Sequence, residues 1–110
     1  MSKLDKLTAI ILAGGMGTRL RGVVNDRPKV MAPVKEEPFM FIILETLVNS
    51  GIRNIVVSTG YKSSYIKKGI GDFYKGYRIY YSEENTPLGT SGGVSLAMSR
   101  FASEHYLVLN

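Results

Sequence analysis

The chain is predicted to fold as an α/β domain with a Rossmann-like parallel sheet and helices on both faces. Four short apolar runs alternate with longer amphipathic stretches, as in βα units around a parallel sheet. Glycine-rich segments follow the first and third runs, where such folds carry their ligand loops.

The runs lie at 8–12, 54–59, 78–82 and 105–109. Each is of strand length, rich in Ile, Val, Leu and Tyr, and bounded by Gly, Asn, Ser or charge. A helix is expected over 38–49, with Phe39, Ile42, Ile43, Thr46 and Leu47 on its apolar face and Pro38 in its first turn. Ser50-Gly51 stops it. Residues 65–74 read as a weaker helix, interrupted by Gly69 and Gly71. A third is expected over 93–101, with Val94, Leu96, Ala97 and Phe101 inward. No repeat or linker divides the chain, so residues 1–110 are expected to form one layered α/β domain.

Composition narrows the function. At 110 residues, 45% hydrophobic and 21% charged, the chain can bury a core of its own. It has no cysteine, which excludes a disulfide framework and a thiolate zinc site. The apolar run after Lys6 is far shorter than the roughly 20 residues of a membrane span and leads into glycines and arginines, so a cytoplasmic protein with no membrane partner is expected. The net charge is +5 and the isoelectric point about 9.6. That suits nucleic acid or a small polyanion, but the cations are interspersed with acids, as in Lys35-Glu36-Glu37, and form no basic block.

The most informative stretch is Leu12-Ala13-Gly14-Gly15-Met16-Gly17-Thr18-Arg19-Leu20. Gly14, Gly15 and Gly17 clear side chains from a turn, so backbone N–H groups can close on phosphate oxygens. Thr18 adds a hydroxyl, and Arg19 a planar cation that can take two oxygens at once. Neither the P-loop nor the dinucleotide fingerprint is met: the former needs a terminal Gly-Lys-Ser/Thr, the latter a glycine where Leu20 stands. A tight structural turn with a surface Arg is the plain alternative. Arg27-Pro28-Lys29-Val30-Met31-Ala32-Pro33-Val34 follows, its prolines holding an extended segment that can bring Lys29 back over the glycines.

Together these two stretches resemble the signature of the sugar-1-phosphate nucleotidyltransferases, which carry a Rossmann-like nucleotide-diphospho-sugar transferase fold. The resemblance implies that Gly14, Gly15, Gly17 and Thr18, with the strand end at Leu12 and Ala13, wrap a nucleoside triphosphate. It further implies that Arg19 meets the pyrophosphate portion and that Lys29 neutralises charge developing in the reaction. These two are the candidate catalytic residues.

A second segment, Glu83-Glu84-Asn85-Thr86-Pro87-Leu88-Gly89-Thr90-Ser91-Gly92-Gly93, follows the third strand. Pro87 fixes a turn and Gly89 and Gly92 let backbone approach a flat ligand, while Thr90 or Ser91 is placed to cap the next helix. By resemblance the loop, with Pro87, Gly89 and Thr90, holds the base. A carboxylate only accepts hydrogen bonds, and guanine offers adjacent donors at N1 and N2, so an acid here suits GTP. Glu84 is expected to read the base in preference to Glu83. The stretches 58–62 and 81–84 add to the likeness, which is strongest to guanylyltransferases that use heptose or mannose 1-phosphates. Val30, where Pro or Ala is commoner, is a small departure.

The implied product is a nucleotide-sugar for surface polysaccharide synthesis. A sugar-phosphate oxygen, already anionic, attacks the α-phosphorus and pyrophosphate leaves, so no general base is required. His105 is expected at a strand edge. The family's next residues after Asn110 are Gly-Asp, whose Asp binds the catalytic Mg2+; none of the metal's ligands is expected within 1–110. The fourth strand is expected to be central, and on this reading the fold is truncated after it, so the 110-residue chain alone should bind nucleotide weakly and turn over poorly or not at all. A non-catalytic regulatory nucleotide-binding module of the same fold is the alternative. An RNA-binding module is disfavoured, since no basic stripe interleaved with aromatics is present.

Overall fold

The computed structural model describes residues 6–13, 33–34, 37–60, 63–86 and 88–109. In chain order the elements are β1 (Leu7–Ala13), β2 (Pro33–Val34), β3 (Glu37–Pro38), α1 (Phe39–Asn49), β4 (Asn54–Thr59), α2 (Ser63–Ile70), β5 (Phe73–Tyr74), β6 (Tyr77–Glu83), α3 (Gly89–Arg100) and β7 (His105–Leu109). The main sheet has the order β5-β6-β4-β1-β7, and β2 pairs with β3 in a separate two-stranded ribbon. β6, β4, β1 and β7 are mutually parallel. The first three crossovers therefore run outward from β1 and back across it, the arrangement of a doubly wound sheet.

β1 and β4 are buried along nearly their whole length, as central strands of such a sheet must be. Alternate residues serve the two faces. Ala9, Ile11 and Ala13 of β1 join Ile55, Val57 and Ile79 beneath Met40, Leu44 and Leu47 of α1 and Ile66 and Ile70 of α2. On the other face Ile10 and Val56 pack against Ala97 of α3, with Leu12, Val94, Phe101 and Tyr106 around them. Each fully buried Ile or Leu contributes about 1.5–3 kcal/mol relative to an exposed one. Helices thus cover both faces, as expected.

Several expectations are corrected. α1 buries Met40, Leu44 and Leu47, whereas Phe39 and Ile42 are 38% and 36% exposed. Exposed Thr46 turns its hydroxyl back to the Ile42 carbonyl at 2.9 Å. Phe-Met-Phe-Ile-Ile-Leu is apolar on every side, so periodicity offers two stripes and only docking on the sheet chooses. The helix begins at Phe39, with Pro38 in β3 just before it. Its end is a Schellman turn: Ile52 N–H donates to Leu47 O at 3.1 Å and Gly51 N–H to Val48 O at 3.0 Å, with Gly51 at φ 86°.

α2 starts at Ser63 and stops at Ile70, because Gly71 takes a left-handed φ of 78° and its N–H caps the Lys67 carbonyl at 2.8 Å. The next residues are a strand and not helix. Phe73 and Tyr74 pair antiparallel with β6 across Lys75 and Gly76, both at positive φ, the two-residue hairpin geometry that matches strand twist. The sheet is therefore mixed, not wholly parallel. α3 starts four residues before the expected 93, at Gly89. Its N-cap is Leu88, with no side-chain cap bond, so neither Thr90 nor Ser91 caps it. Among the described residues β7 pairs on one side only, with β1, and leaves Leu107 38% and Val108 43% exposed.

Candidate nucleotide site

The register places Ala13, Thr59 and Glu83 in one row at the C-terminal edge of the sheet. Ala13, the residue before the glycine stretch, ends β1 there, and α3 starts just beyond β6. Both sequence-predicted segments thus attach to the edge where ligands of doubly wound sheets gather. The predicted Gly14, Gly15, Gly17, Thr18, Arg19, Lys29 and Pro87 lie outside the described residues.

Alternation along the strands sorts the described candidates by face. Ala13 is buried toward α1 and α2, so any contact it makes with a ligand is through its backbone. Thr59 shares that face, where it receives a 3.0 Å hydrogen bond from Ser63 of α2. Glu83 points the same way and pairs with Lys67 Nζ at 2.8 Å. The hydrogen bond and the charge of Lys67 hold the Glu83 carboxyl below its ordinary value. This acid is committed to an exposed ion pair.

Glu84, one residue on, turns to the α3 face. Its N–H donates to the Thr59 carbonyl at 2.8 Å, extending the β4–β6 ladder by one step and fixing its Cα. Its side chain folds across Gly60, where a Cβ would lie 2.9 Å from Oε1 and 3.0 Å from Cγ. On the far side stands Gly93 of α3, where a Cβ would meet Ser58 Oγ at 3.3 Å, Glu84 Oε2 at 3.7 Å and Leu12 Cδ2 at 4.0 Å. Leu12, Ser58, Glu84 and Gly93 therefore converge behind the sheet edge. Oε2 is enclosed and has no hydrogen-bond partner among the described residues. A buried acceptor without a donor costs about 1–3 kcal/mol, more when charged, and such an orphan in a folded protein points to a missing partner.

Gly89 and Thr90 begin α3. Gly89 sits at φ 73°, where a Cβ is strained, and no atom of the described residues stands within 4 Å of the Cβ position, so the backbone there is open on that side. Exposed Thr90 lies in the first turn. Three positions were missed by the sequence reading. Gly60 and Gly93 line the Glu84 carboxylate, and Arg100 Nη1 reaches Glu83 O at 2.9 Å and Ser82 Oγ at 3.3 Å, clamping the end of β6 to α3. A glycine directly after a strand at the ligand edge was the available signal for Gly60, and the Gly92-Gly93 pair at the end of the second segment was the signal for Gly93; nothing local marked Arg100.

These features define a Rossmann-like α/β protein with a candidate nucleotide site at the C-terminal edge of its sheet. The sequence matches the nucleotidyl transferase family over residues 8–110, and the chain belongs to that family. It is 42% identical over 104 residues to the D-glycero-alpha-D-manno-heptose 1-phosphate guanylyltransferase of Aneurinibacillus thermoaerophilus, covering 94% of this chain and 45% of that protein. Against the enzyme of the same name from Campylobacter jejuni it is 39% identical, covering 93% and 46%. Its structure is similar to the crystal structure of HddC from Yersinia pseudotuberculosis complexed with GMP-PN, with TM-score 0.83, 35% identity and coverage of 94% and 46%. The chain thus spans a little under half the length of these relatives.

Proposed function

We propose that the protein joins GTP to a sugar 1-phosphate, a heptose phosphate in first place and mannose phosphate in second, giving a GDP-sugar and pyrophosphate for surface polysaccharide synthesis in the cytoplasm. The observation that carries the guanine reading is the Glu84 carboxylate: it stands at the ligand edge, enclosed by two glycines, with Oε2 lacking a donor among the described residues. Guanine N1–H and N2–H supply two donors side by side, which is what a fixed carboxylate can accept. The family membership and the two guanylyltransferase relatives support the same reading.

In this mechanism Gly14, Gly15 and Gly17 with Thr18 cradle the triphosphate by backbone and hydroxyl hydrogen bonds, and open backbone at Gly89, with Pro87 and Thr90 beside it, supports the base. A sugar-phosphate oxygen forms a new bond to the α-phosphorus as the bond from that phosphorus to the bridging oxygen breaks, and the bonding pair leaves with pyrophosphate. Arg19 and Lys29 face the negative charge that builds on the phosphates, stabilising it more in the transition state than before. Among the described residues no three His, Cys, Asp or Glu side chains come together as a metal site. Mg2+, implied by the resemblance, would need only one or two protein carboxylates beside the phosphates and would supply further charge neutralisation there.

The test is turnover of the complete gene product with each of the four common nucleoside triphosphates against heptose 1-phosphate and mannose 1-phosphate. Pyrophosphate release with GTP well ahead of the others is expected. Equal use of all four, or release with no sugar phosphate at all, rejects the proposal.

A further inference from the structure

We propose that Gly60 is a specificity-determining residue, because its missing side chain is what lets the Glu84 carboxylate lie across the end of β4 in one fixed orientation. The inference rests on the reading of Glu84 as the base-reading group.

Gly60 is not demanded by its backbone. The described glycines at positive φ are Gly51, Gly71, Gly76 and Gly89. At position 60 the constraint is space, and the three atoms a Cβ would meet first all belong to one side chain: Glu84 Oε1 at 2.9 Å, Cγ at 3.0 Å and Cδ at 3.4 Å. The register explains the closeness. Thr59 pairs with Glu83, so Gly60 faces Glu84 one step beyond the ladder, where neighbouring strands lie only about 4.8 Å apart. With the Glu84 N–H held by Thr59 O, the backbone cannot carry the side chain away; it must rotate. On the opposite side a Cβ at Gly93 would be at ordinary contact distance from Oε2. Gly60 is the tighter wall, and the one that sets the angle at which the carboxylate meets a ligand.

A fixed acceptor pair favours a ligand edge with two donors at matching spacing, and turning it by one methyl group's width misplaces both bonds at once. Any residue larger than glycine at 60 therefore lowers discrimination between guanine and bases that lack the two donors, while phosphate binding elsewhere continues.

Gly60→Ala, Glu84→Ala and the double variant are made in the complete gene product, and kcat/KM is measured with GTP and with UTP, alongside melting temperature. Each single variant is expected to lower the GTP-over-UTP preference by about tenfold or more, the range for losing a hydrogen bond to a buried charged group. Adding Gly60→Ala to Glu84→Ala changes that preference by no more than about twofold, since the atoms a methyl would strike are gone. If Glu84→Ala lowers the preference and Gly60→Ala does not, the role of Gly60 is overturned while the base reading stands. If Glu84→Ala leaves the preference unchanged, the base reading fails and takes the Gly60 role with it. A Gly60→Ala loss that is equal for both nucleotides and persists without the Glu84 carboxylate marks a structural role and also overturns the proposal. Should Gly60→Ala alone not fold, recovery of folding in the double variant supports the contact, and failure of both rejects it.

Discussion

Glu83 and Glu84 are adjacent in the chain yet face opposite sides of the sheet: the first is held by Lys67 of α2 at 2.8 Å, the second is enclosed between Gly60 and Gly93 of the α3 side. Strand alternation alone separates them, and it separates their chemistry. Glu83 has a cation to answer its charge. Glu84 Oε2 has no partner among the described residues.

Glu84→Gln keeps the shape of the side chain and turns one acceptor into a donor. GTP use is expected to fall, with uridine or thymidine triphosphate use falling less or rising, because a mismatched buried polar group is rejected strongly. Competition among the four triphosphates measures it. Glu83→Gln should leave the preference unchanged; the reverse result moves the base-reading group by one residue.

Arg19→Ala is expected to cost about 3–4 kcal/mol of transition-state stabilisation, the range for removing one charge-stabilising donor. Its position directly after the glycines motivates this. Steady-state kcat/KM gives the figure, and an unchanged value removes Arg19 from the catalytic set.

Lys29→Ala should depress kcat more than GTP affinity, since a cation facing charge that develops during the reaction favours the transition state over the ground state. Turnover measured beside nucleotide titration separates the two. Equal losses would make Lys29 an ordinary phosphate anchor.

Glu45 of α1 accepts from Lys75 Nζ at 2.7 Å and from the Tyr74 hydroxyl at 2.7 Å, tying the helix to the β5–β6 turn. The hydrogen bonds from Lys75 and then Tyr74 lower its pKa from the ordinary 4.5. A depressed carboxylate stabilises the fold above its unfolded value, and that contribution is lost as pH falls through the lower folded value. The melting-temperature gap between wild type and Glu45→Gln is therefore expected to be small, in keeping with an exposed pair, and to close as pH falls below about 4.5. A gap that widens in acid contradicts the contact.

Leu44→Ala removes a fully buried side chain between α1 and the sheet and should destabilise by about 2–5 kcal/mol in denaturant unfolding. Ile42→Ala, on the exposed side of the same helix, should cost far less. A reversal would return α1 to the face that periodicity first suggested.

The amino-acid sequence by itself determined the α/β class and the four parallel strands to within a residue or so. Those features are local: strand length, apolar runs and glycine spacing are written in contiguous residues. It also carried the family, through the glycine stretch and the Pro-Lys segment, which the match over residues 8–110 bears out. What it did not carry was the docked face of α1, the early start of α3 and the antiparallel hairpin at Phe73 and Tyr74. Each depends on a partner distant in the chain or on a backbone turn whose cost is repaid only after packing. Only the tertiary structure decided that Gly60 and Gly93, 33 residues apart in the numbering, close on one carboxylate. Parallel crossovers bring the ends of β4 and β6 and the start of α3 to the same sheet edge, and no local pattern in the sequence encodes which empty side-chain positions will meet there.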